Sequence, residues 1–184
     1  MARVLLISTY DLGRQPFGLA SPAAWLRAEG HEVRTRDVSR EPLDPDLAAQ
    51  SEWVAFHLPM HTATKMALPH IAAVRVANPA VRICCYGLYA PVNEELLRSL
   101  GVEHVIGGEF ERALADLIAG RRVPEFLIVL DRIPFLVPDR GGLPALHRYA
   151  HLLHNGEQKI AGYTEASRGC KHLCRHCPIV PVYN

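Results

Sequence analysis

Regular alternation of strand-like and helix-like segments in the first 120 residues is the feature that most constrains the fold. Short apolar runs predict strands at residues 3–8, 31–38, 52–58, 81–86 and 103–106, and amphipathic runs predict helices at 18–29, 62–77, 93–100 and 109–118. Strands joined by helical crossovers form parallel sheets. We therefore predict an α/β fold: a flavodoxin-like or Rossmann-like, parallel five-stranded sheet with helices on both faces.

A parallel sheet of this kind binds ligands beyond the carboxyl ends of its strands. The loops that reach this edge are residues 9–17, 59–62, 87–92 and 107–111. One helix carries an internal proline, Pro69, which predicts either a kink or two shorter helices.

The pattern changes after Gly120, where prolines and glycines become frequent. We predict a domain at residues 1–120, a linker at 121–159 and the start of a second domain at 160–184. Residues 160–166 are expected to form a short strand that leads into the cysteines near the C-terminus.

Composition and charge restrict the class of protein. Hydrophobic residues make up 49% of the chain and charged residues 21%, which favours a packed globular core. The net charge of +1 and the lack of a long basic run argue against a nucleic-acid partner. Apolar runs fall well short of the roughly 20 residues that span a bilayer, and the N-terminus lacks a signal-peptide pattern. We expect a cytoplasmic protein without a membrane partner.

The five cysteines fall into two groups. Cys84 and Cys85 lie inside a predicted strand, where buried structural thiols are expected. Cys170, Cys174 and Cys177 have the spacing C-x3-C-x2-C. Thiolates are the usual ligands of iron–sulfur clusters, and three of them leave one iron of a cubic cluster open to another ligand.

Basic residues surround this cysteine group. Arg168, Lys171 and Arg175 are expected to lower the pKa of the thiols and to offset the charge of a cluster. A zinc site is the alternative, with His172 or His176 as the fourth ligand.

The cysteine spacing and the preceding run E-A-S-R-G-C at 165–170 resemble the signature of radical S-adenosylmethionine (SAM) enzymes. The resemblance implies a [4Fe-4S] cluster on the three cysteines, whose open iron binds SAM. Reductive cleavage of SAM would yield a 5'-deoxyadenosyl radical that acts on a small-molecule or peptide substrate, and a low-potential electron donor is implied as a partner. His176 stands where the family commonly has an aromatic residue beside the cofactor adenine.

The first 120 residues resemble the cobalamin-binding domain that precedes the radical domain in many such enzymes. The residues that match lie at Phe17-Gly18, in 25–33, and in the G-E-x-E-like run at 108–111. The resemblance implies cobalamin as a cofactor and methyl transfer or related radical chemistry as the reaction. The loop that begins at Asp11 lacks the histidine of D-x-H-x-x-G, so no histidine–cobalt bond is predicted there.

Other candidate ligand contacts come from the residues themselves. His57 and His61 flank the end of the third strand, where they could face a ligand or be hydrogen-bonded loop residues. Gly87 would allow close backbone approach to a planar ligand. Glu109 could contact the cofactor or simply favour the first turn of a helix. The predicted cofactor-binding set is thus Phe17, Gly18, His61, Gly87, Gly108, Glu109 and His176.

Several stretches, such as 22–26 and 86–91, also resemble a radical SAM subgroup named for a CUAEP or CCAEP tail. The chain ends seven residues after Cys177, whereas a full (β/α) barrel takes about 250 residues. We expect an N-terminal fragment that is inactive alone and belongs to a radical SAM enzyme.

Two alternatives remain open. One is a non-catalytic α/β binding module with a zinc- or iron-binding cysteine tail. The other is a tRNA-modifying enzyme resembling methylthiotransferases, whose N-terminal domain needs three cysteines where this chain offers only Cys84 and Cys85.

Overall fold

A parallel β-sheet of six strands organises the chain, in the order β2-β1-β3-β4-β5-β6. The computed structural model describes residues 1–170 and 172–183. The strands are β1 (Arg3–Ser8), β2 (Glu32–Asp37), β3 (Trp53–His57), β4 (Arg82–Tyr86), β5 (His104–Gly108) and β6 (Phe126–Val129). The predicted α/β class is confirmed, and all five predicted strands are present.

The sixth strand corrects the predicted number of strands. Residues 126–129 fell within the predicted linker, yet they pair in parallel with β5, from Val105 opposite Phe126 to Gly108 opposite Val129. The run Phe126–Val129 is apolar, but it is short and shows no alternation of apolar and polar residues. It forms because the preceding helix returns the chain to the free edge of β5.

Five helices connect the strands: α1 (Phe17–Ala28), α2 (Pro45–Gln50), α3 (His61–Ala77), α4 (Glu94–Ser99) and α5 (Phe110–Ile118). Helix α2 was not predicted. Its cap explains it, since the Asp44 side chain accepts a hydrogen bond of 2.9 Å from the Asp46 amide, and Pro45 occupies the first turn. Helix α3 forms one continuous element with Pro69 inside it.

Both faces of the sheet are buried, because successive strand residues point to opposite sides. In β1, Val4 and Leu6 pack with α1 and α5, whereas Leu5 and Ile7 pack with α2, α3 and α4. Cys84 and Cys85 follow the same rule and are fully buried in different halves of the core. Burial raises the pKa of both thiols.

After β6 the chain forms a tail, described at residues 130–170 and 172–183, with little regular structure. Strands β7 (His151–His154) and β8 (Glu157–Ile160) make an antiparallel hairpin, and the last turn of helix is α6 (Val180–Tyr183). The strand expected at residues 160–166 does not form beyond Ile160. Its partner strand ends there, since His151 is paired with Ile160 at the end of the ladder.

Among the helices of residues 1–170 and 172–183, none has both the length and the apolar character needed to cross a bilayer.

Candidate functional site

A cavity of about 310 Å³ lies at the carboxyl edge of the sheet. Strand β1 pairs with β2 on one side and β3 on the other, so the strand order reverses there. This switch point is the usual ligand position in sheets of this type. The cavity is lined by the loop after β1, the end of β3, the loop between β5 and α5, and the tail, including Asp11, His57, Met60, Glu109, Tyr163 and Arg168.

His57, the last residue of β3, forms the floor of the cavity. Its ring lies 5.4 Å from Tyr86 and 5.8 Å from Phe110, measured between ring centroids. Burial, together with the nearby Arg168 charge, lowers the pKa of His57 to about 3, so the imidazole is neutral. Among the described residues, its Nδ1 atom has no hydrogen-bond partner.

Helix α1 begins against this histidine. A Cβ at Gly18 would overlap the His57 ring, so only glycine fits there. The Tyr86 hydroxyl donates a hydrogen bond of 2.8 Å to the Gly18 carbonyl oxygen. Phe17 is buried beside it, with its ring centroid 5.8 Å from the Arg168 guanidinium. The structure therefore places Phe17 and Gly18 beneath the cavity wall rather than on its surface.

Two more predicted glycines are required by the backbone. Gly87 has φ +107, and a Cβ there would lie 3.0 Å from the Leu58 carbonyl oxygen. Gly108 has φ +74, and a Cβ would overlap the Val129 carbonyl oxygen. Gly108 lines the cavity and Gly87 does not. Their left-handed conformations shape the strand ends on which the site is built.

Asp11 also lines the cavity, although its sequence position predicted only a loop residue. Its side chain is buried, and one carboxylate oxygen has no hydrogen-bond partner among the described residues. Burial raises the pKa of Asp11 to about 7, with Glu165 and Asp37 adding to the effect and Arg14 opposing it. A polar side chain three residues beyond a buried strand at the ligand edge was the signal available in the sequence.

Arg168 joins the tail to the loop between β5 and α5. Its guanidinium donates to both carboxylate oxygens of Glu111, with Nη1 at 2.7 Å from Oε2. It also donates to Glu109 at 3.0 Å and to Glu165 at 2.8 Å. The guanidinium carbon lies 4.2 Å from the centroid of the Phe110 ring, within the range of cation–π contacts.

Glu111 is the most buried member of this group, with no exposed side-chain area. Its Oε1 atom also accepts a hydrogen bond of 2.7 Å from the Ser21 hydroxyl. Glu109 is more open, and burial raises its pKa although Arg168 acts in the opposite direction. The guanidinium of Arg168 is thus paired with three carboxylates, those of Glu109, Glu111 and Glu165.

The three clustered cysteines lie on the surface. Cys170 and Cys174 are exposed and Cys177 is half-buried, and all three are free thiols. The Cys177 amide donates to the Cys174 carbonyl oxygen at 3.1 Å, which closes a turn. Within the part of the chain that the structure describes, no three histidine, cysteine or acidic side chains are arranged to hold a metal ion. Lys171 lies outside the described residues.

Both ends of this cysteine loop are anchored at the carboxyl edge of the sheet. Arg168 anchors the start, as described above. After the loop, Ile179 is buried, and the Tyr183 hydroxyl donates to the Leu88 carbonyl oxygen at 3.0 Å. His176 is exposed, and His61 is exposed at the start of α3, away from the cavity lining.

Comparison with known proteins shows a likeness of fold. No family model and no curated protein matches the chain. A solved structure of TsrM, a radical S-adenosylmethionine methyltransferase from Kitasatospora setae with tryptophan substrate and a SAM analogue bound, matches with a TM-score of 0.53 at 17% identity. The match covers 66% of this chain and 27% of TsrM.

A LuxR-family two-component response regulator from Aurantimonas sp. SI85-9A1 matches with a TM-score of 0.41, also at 17% identity, over 66% of this chain and 88% of the regulator. The match with TsrM spans about a quarter of the length of that protein. The likeness to TsrM shows a shared α/β fold.

Proposed function

We propose that this chain is part of a radical SAM enzyme, in which Cys170, Cys174 and Cys177 bind a [4Fe-4S] cluster and the sheet edge binds cobalamin. The observation that carries the proposal is the position of the cysteine loop. Its two ends dock at the carboxyl edge of the sheet, beside the cavity at the switch point. Two candidate cofactor sites are therefore neighbours, as a reaction that uses both requires.

The donor chemistry of the cysteine loop fits an iron–sulfur cluster. Three free thiols lie within eight residues, all at least partly accessible, and thiolates are the standard ligands of such clusters. Cys170, Cys174 and Cys177 would hold three irons. When bound, the cluster would supply the electron that cleaves SAM to a 5'-deoxyadenosyl radical, and the protein would orient the reactants and exclude water.

The chemistry of the cavity fits a ligand rich in neutral amides, such as cobalamin. His57 is neutral, and Asp11 keeps its proton up to about pH 7. The acidic group at Glu109 and Glu111 is paired with Arg168. A volume of about 310 Å³ is at the lower end for small-molecule sites, so the cavity would take one edge of so large a ligand.

Residues that line the cavity are the better candidates for cobalamin contacts. Gly108 and Glu109 of the predicted set line it, and Asp11 and His57 join them. When bound, cobalamin would carry the methyl group that such enzymes transfer. The electron donor and the small-molecule or peptide substrate remain part of the proposal.

The cluster is tested by anaerobic reconstitution with iron and sulfide, iron counting and EPR of the dithionite-reduced protein. We expect a reduced-cluster signal that shifts on addition of SAM and is lost in Cys170→Ala. Cys84→Ala is the matched control, because that thiol is buried in the sheet. The reduced-cluster signal should persist in this variant. Stoichiometric zinc in place of iron, unchanged by reconstitution, would refute the cluster and favour a zinc-binding module.

Cobalamin binding is tested by titration with hydroxocobalamin, followed by absorbance and equilibrium dialysis. His57→Phe should weaken binding about tenfold, because a hydrogen-bonding side chain that lines the cavity is lost. His61→Phe is the matched control and should leave the affinity unchanged, since His61 lies outside the cavity. Equal affinity in both variants and the unmodified protein would place the ligand elsewhere.

A further inference from the structure

The contact between Arg168 and Glu111 joins two parts of the chain that are distant in sequence. Arg168 lies only two residues before Cys170, and its side chain is 12% exposed. Glu111 lies in the first turn of α5, fully buried. The contact therefore joins the entrance of the cysteine loop to the rigid core of the α/β domain, across 57 residues of sequence.

Glu111 needs a positively charged partner, because its carboxylate is fully buried. An ionised carboxylate with no exposed area is stable only when it is paired and hydrogen-bonded. Its partners in the described chain are the Ser21 hydroxyl and the Arg168 guanidinium. Among the described residues, Arg168 is the one positively charged partner of Glu111, so positions of the tail without this contact would leave the buried carboxylate without it.

The shape of the guanidinium adds direction to this contact. Its planar fork contacts both oxygens of Glu111, while its face lies over the Phe110 ring at 4.2 Å. A bidentate contact and a stacked face together fix both the position and the orientation of the side chain. A lysine ammonium would satisfy the charge without fixing the orientation.

We propose that Arg168 is a positioning residue, which fixes the start of the cysteine loop above the loop between β5 and α5 and so holds it beside the cavity. The importance of this placement for catalysis rests on the proposed function. The placement itself does not, because the contacts of Arg168 with residues 109–111 need no iron. Glu109 and Glu111 are thus the residues of the sheet domain that bind the start of the cysteine loop.

The placement is tested by measuring a distance in the full chain without iron. One spin label is attached to Cys174, with Cys170→Ser and Cys177→Ser, and a second to Lys65→Cys, an exposed position on α3. Cys84 and Cys85 should stay unlabelled, because they are buried and burial raises the pKa of their thiols. Pulsed EPR then gives the distribution of distances between the tail and the sheet domain.

We expect a narrow distribution with Arg168 present, and loss of the narrow peak in Arg168→Met and in Glu111→Gln. Arg168→Lys should give an intermediate width, since charge is kept and the fork is lost. Arg121→Met is the matched control: Arg121 forms an exposed ion pair with Glu29 within the sheet domain, so its distribution should remain narrow.

Two results would overturn the proposal: a distribution that is already broad with Arg168 present, or a narrow peak that survives in Arg168→Met. Circular dichroism of each variant shows whether the sheet domain is folded. If Arg168→Met does not fold, Arg168→Lys decides, and an unchanged narrow peak in that variant would refute the role of the fork. Because no iron is present, failure here is separate from failure of the cluster proposal.

Discussion

The sheet domain and the tail are stabilised in different ways. Strands β1 to β5 and their helices bury large apolar side chains on both faces of the sheet. In the described part of the tail, by contrast, Tyr149 and Ile179 are the only large hydrophobic side chains that are buried. The tail is attached mainly by polar contacts, among them those of Arg140, Arg148 and Arg168.

This difference indicates that the stability of the fold and the position of the cysteine loop have different physical sources. Apolar burial is non-directional and contributes most of the free energy of folding. Charged hydrogen bonds contribute less in total, but they specify direction. We infer that the sheet domain determines whether the protein folds, and that a few polar contacts determine where the cysteine loop lies.

The largest expected effect compares two phenylalanines. Phe56 in β3 is fully buried, whereas Phe135 in the tail is 52% exposed. Phe56→Ala should lower the free energy of unfolding by about 4 kcal/mol, because it leaves a cavity in the core. Phe135→Ala should change it by less than about 0.5 kcal/mol. Urea denaturation followed by circular dichroism measures both, and a large loss in Phe135→Ala would reveal a tail core that contributes to stability.

Asp11 gives the next largest effect, through pH. Its pKa is about 7 in the folded state against 3.8 ordinarily, so the folded protein holds a proton that the unfolded chain releases. Its contribution therefore favours the folded state at low pH and is lost as pH rises from about 4 to about 7. Above that range Asp11→Asn should be more stable than the unmodified protein by about 3 kcal/mol, after allowance for solvent screening.

The test is the difference in unfolding free energy between the two proteins across this pH range, which removes contributions from His57 and other groups they share. A further variant, Glu165→Gln, tests whether the tail contributes to the raised pKa of Asp11. Glu165 belongs to the tail and helps to raise the pKa of Asp11. The pH at which stability is lost should therefore move downward in that variant. A difference between the unmodified protein and Asp11→Asn that is flat with pH would show that Asp11 is not buried as described.

Sequence patterns were sufficient for the sheet domain because its signals are local and repeated. The five predicted strands formed, since each is an apolar run bounded by turn residues. Strand β6 was missed because four residues carry almost no periodicity, and its pairing depends on the free edge of β5. The strand expected after Ile160 failed for the opposite reason, since no partner strand extends beyond it.

The site was harder to predict, because it depends on which distant residues meet. The run at 108–111 and the run at 165–170 were each recognised, but nothing local indicates that Arg168 binds Glu111. Spacing also could not distinguish His57, in the cavity floor, from His61, which lies outside it. Glu111 indicates a cationic partner only because it is fully buried, and the sequence does not reveal that burial.

Gly108 marks the point where the sheet domain meets the tail, because its backbone contacts β6, the last strand before the tail. Gly108→Ala should lower the free energy of unfolding by about 2 kcal/mol, since it combines left-handed strain with overlap of the Val129 carbonyl. Gly30→Ala is the matched control. Gly30 has φ +81 but no atom within 4 Å of its added Cβ, so only strain of about 1 kcal/mol is expected. Urea denaturation measures both variants. Equal losses of unfolding free energy would mean that β6 moves away from the added Cβ of Gly108→Ala at no cost in free energy.

The smallest expected effect concerns a second arginine that attaches the tail. Arg148 bonds to Glu41 at 3.2 Å and to the Arg40 carbonyl oxygen at 2.9 Å, but its side chain is 44% exposed. Exposed ion pairs contribute little, because water and salt screen them. Arg148→Met should therefore lower the free energy of unfolding by about 0.5 kcal/mol, and added salt should reduce the difference further. The variant should also keep the narrow spin-label distribution that Arg168→Met loses. If Arg148→Met broadened that distribution as much, docking would depend on the sum of many weak contacts and not on the buried pair of Arg168 with Glu111.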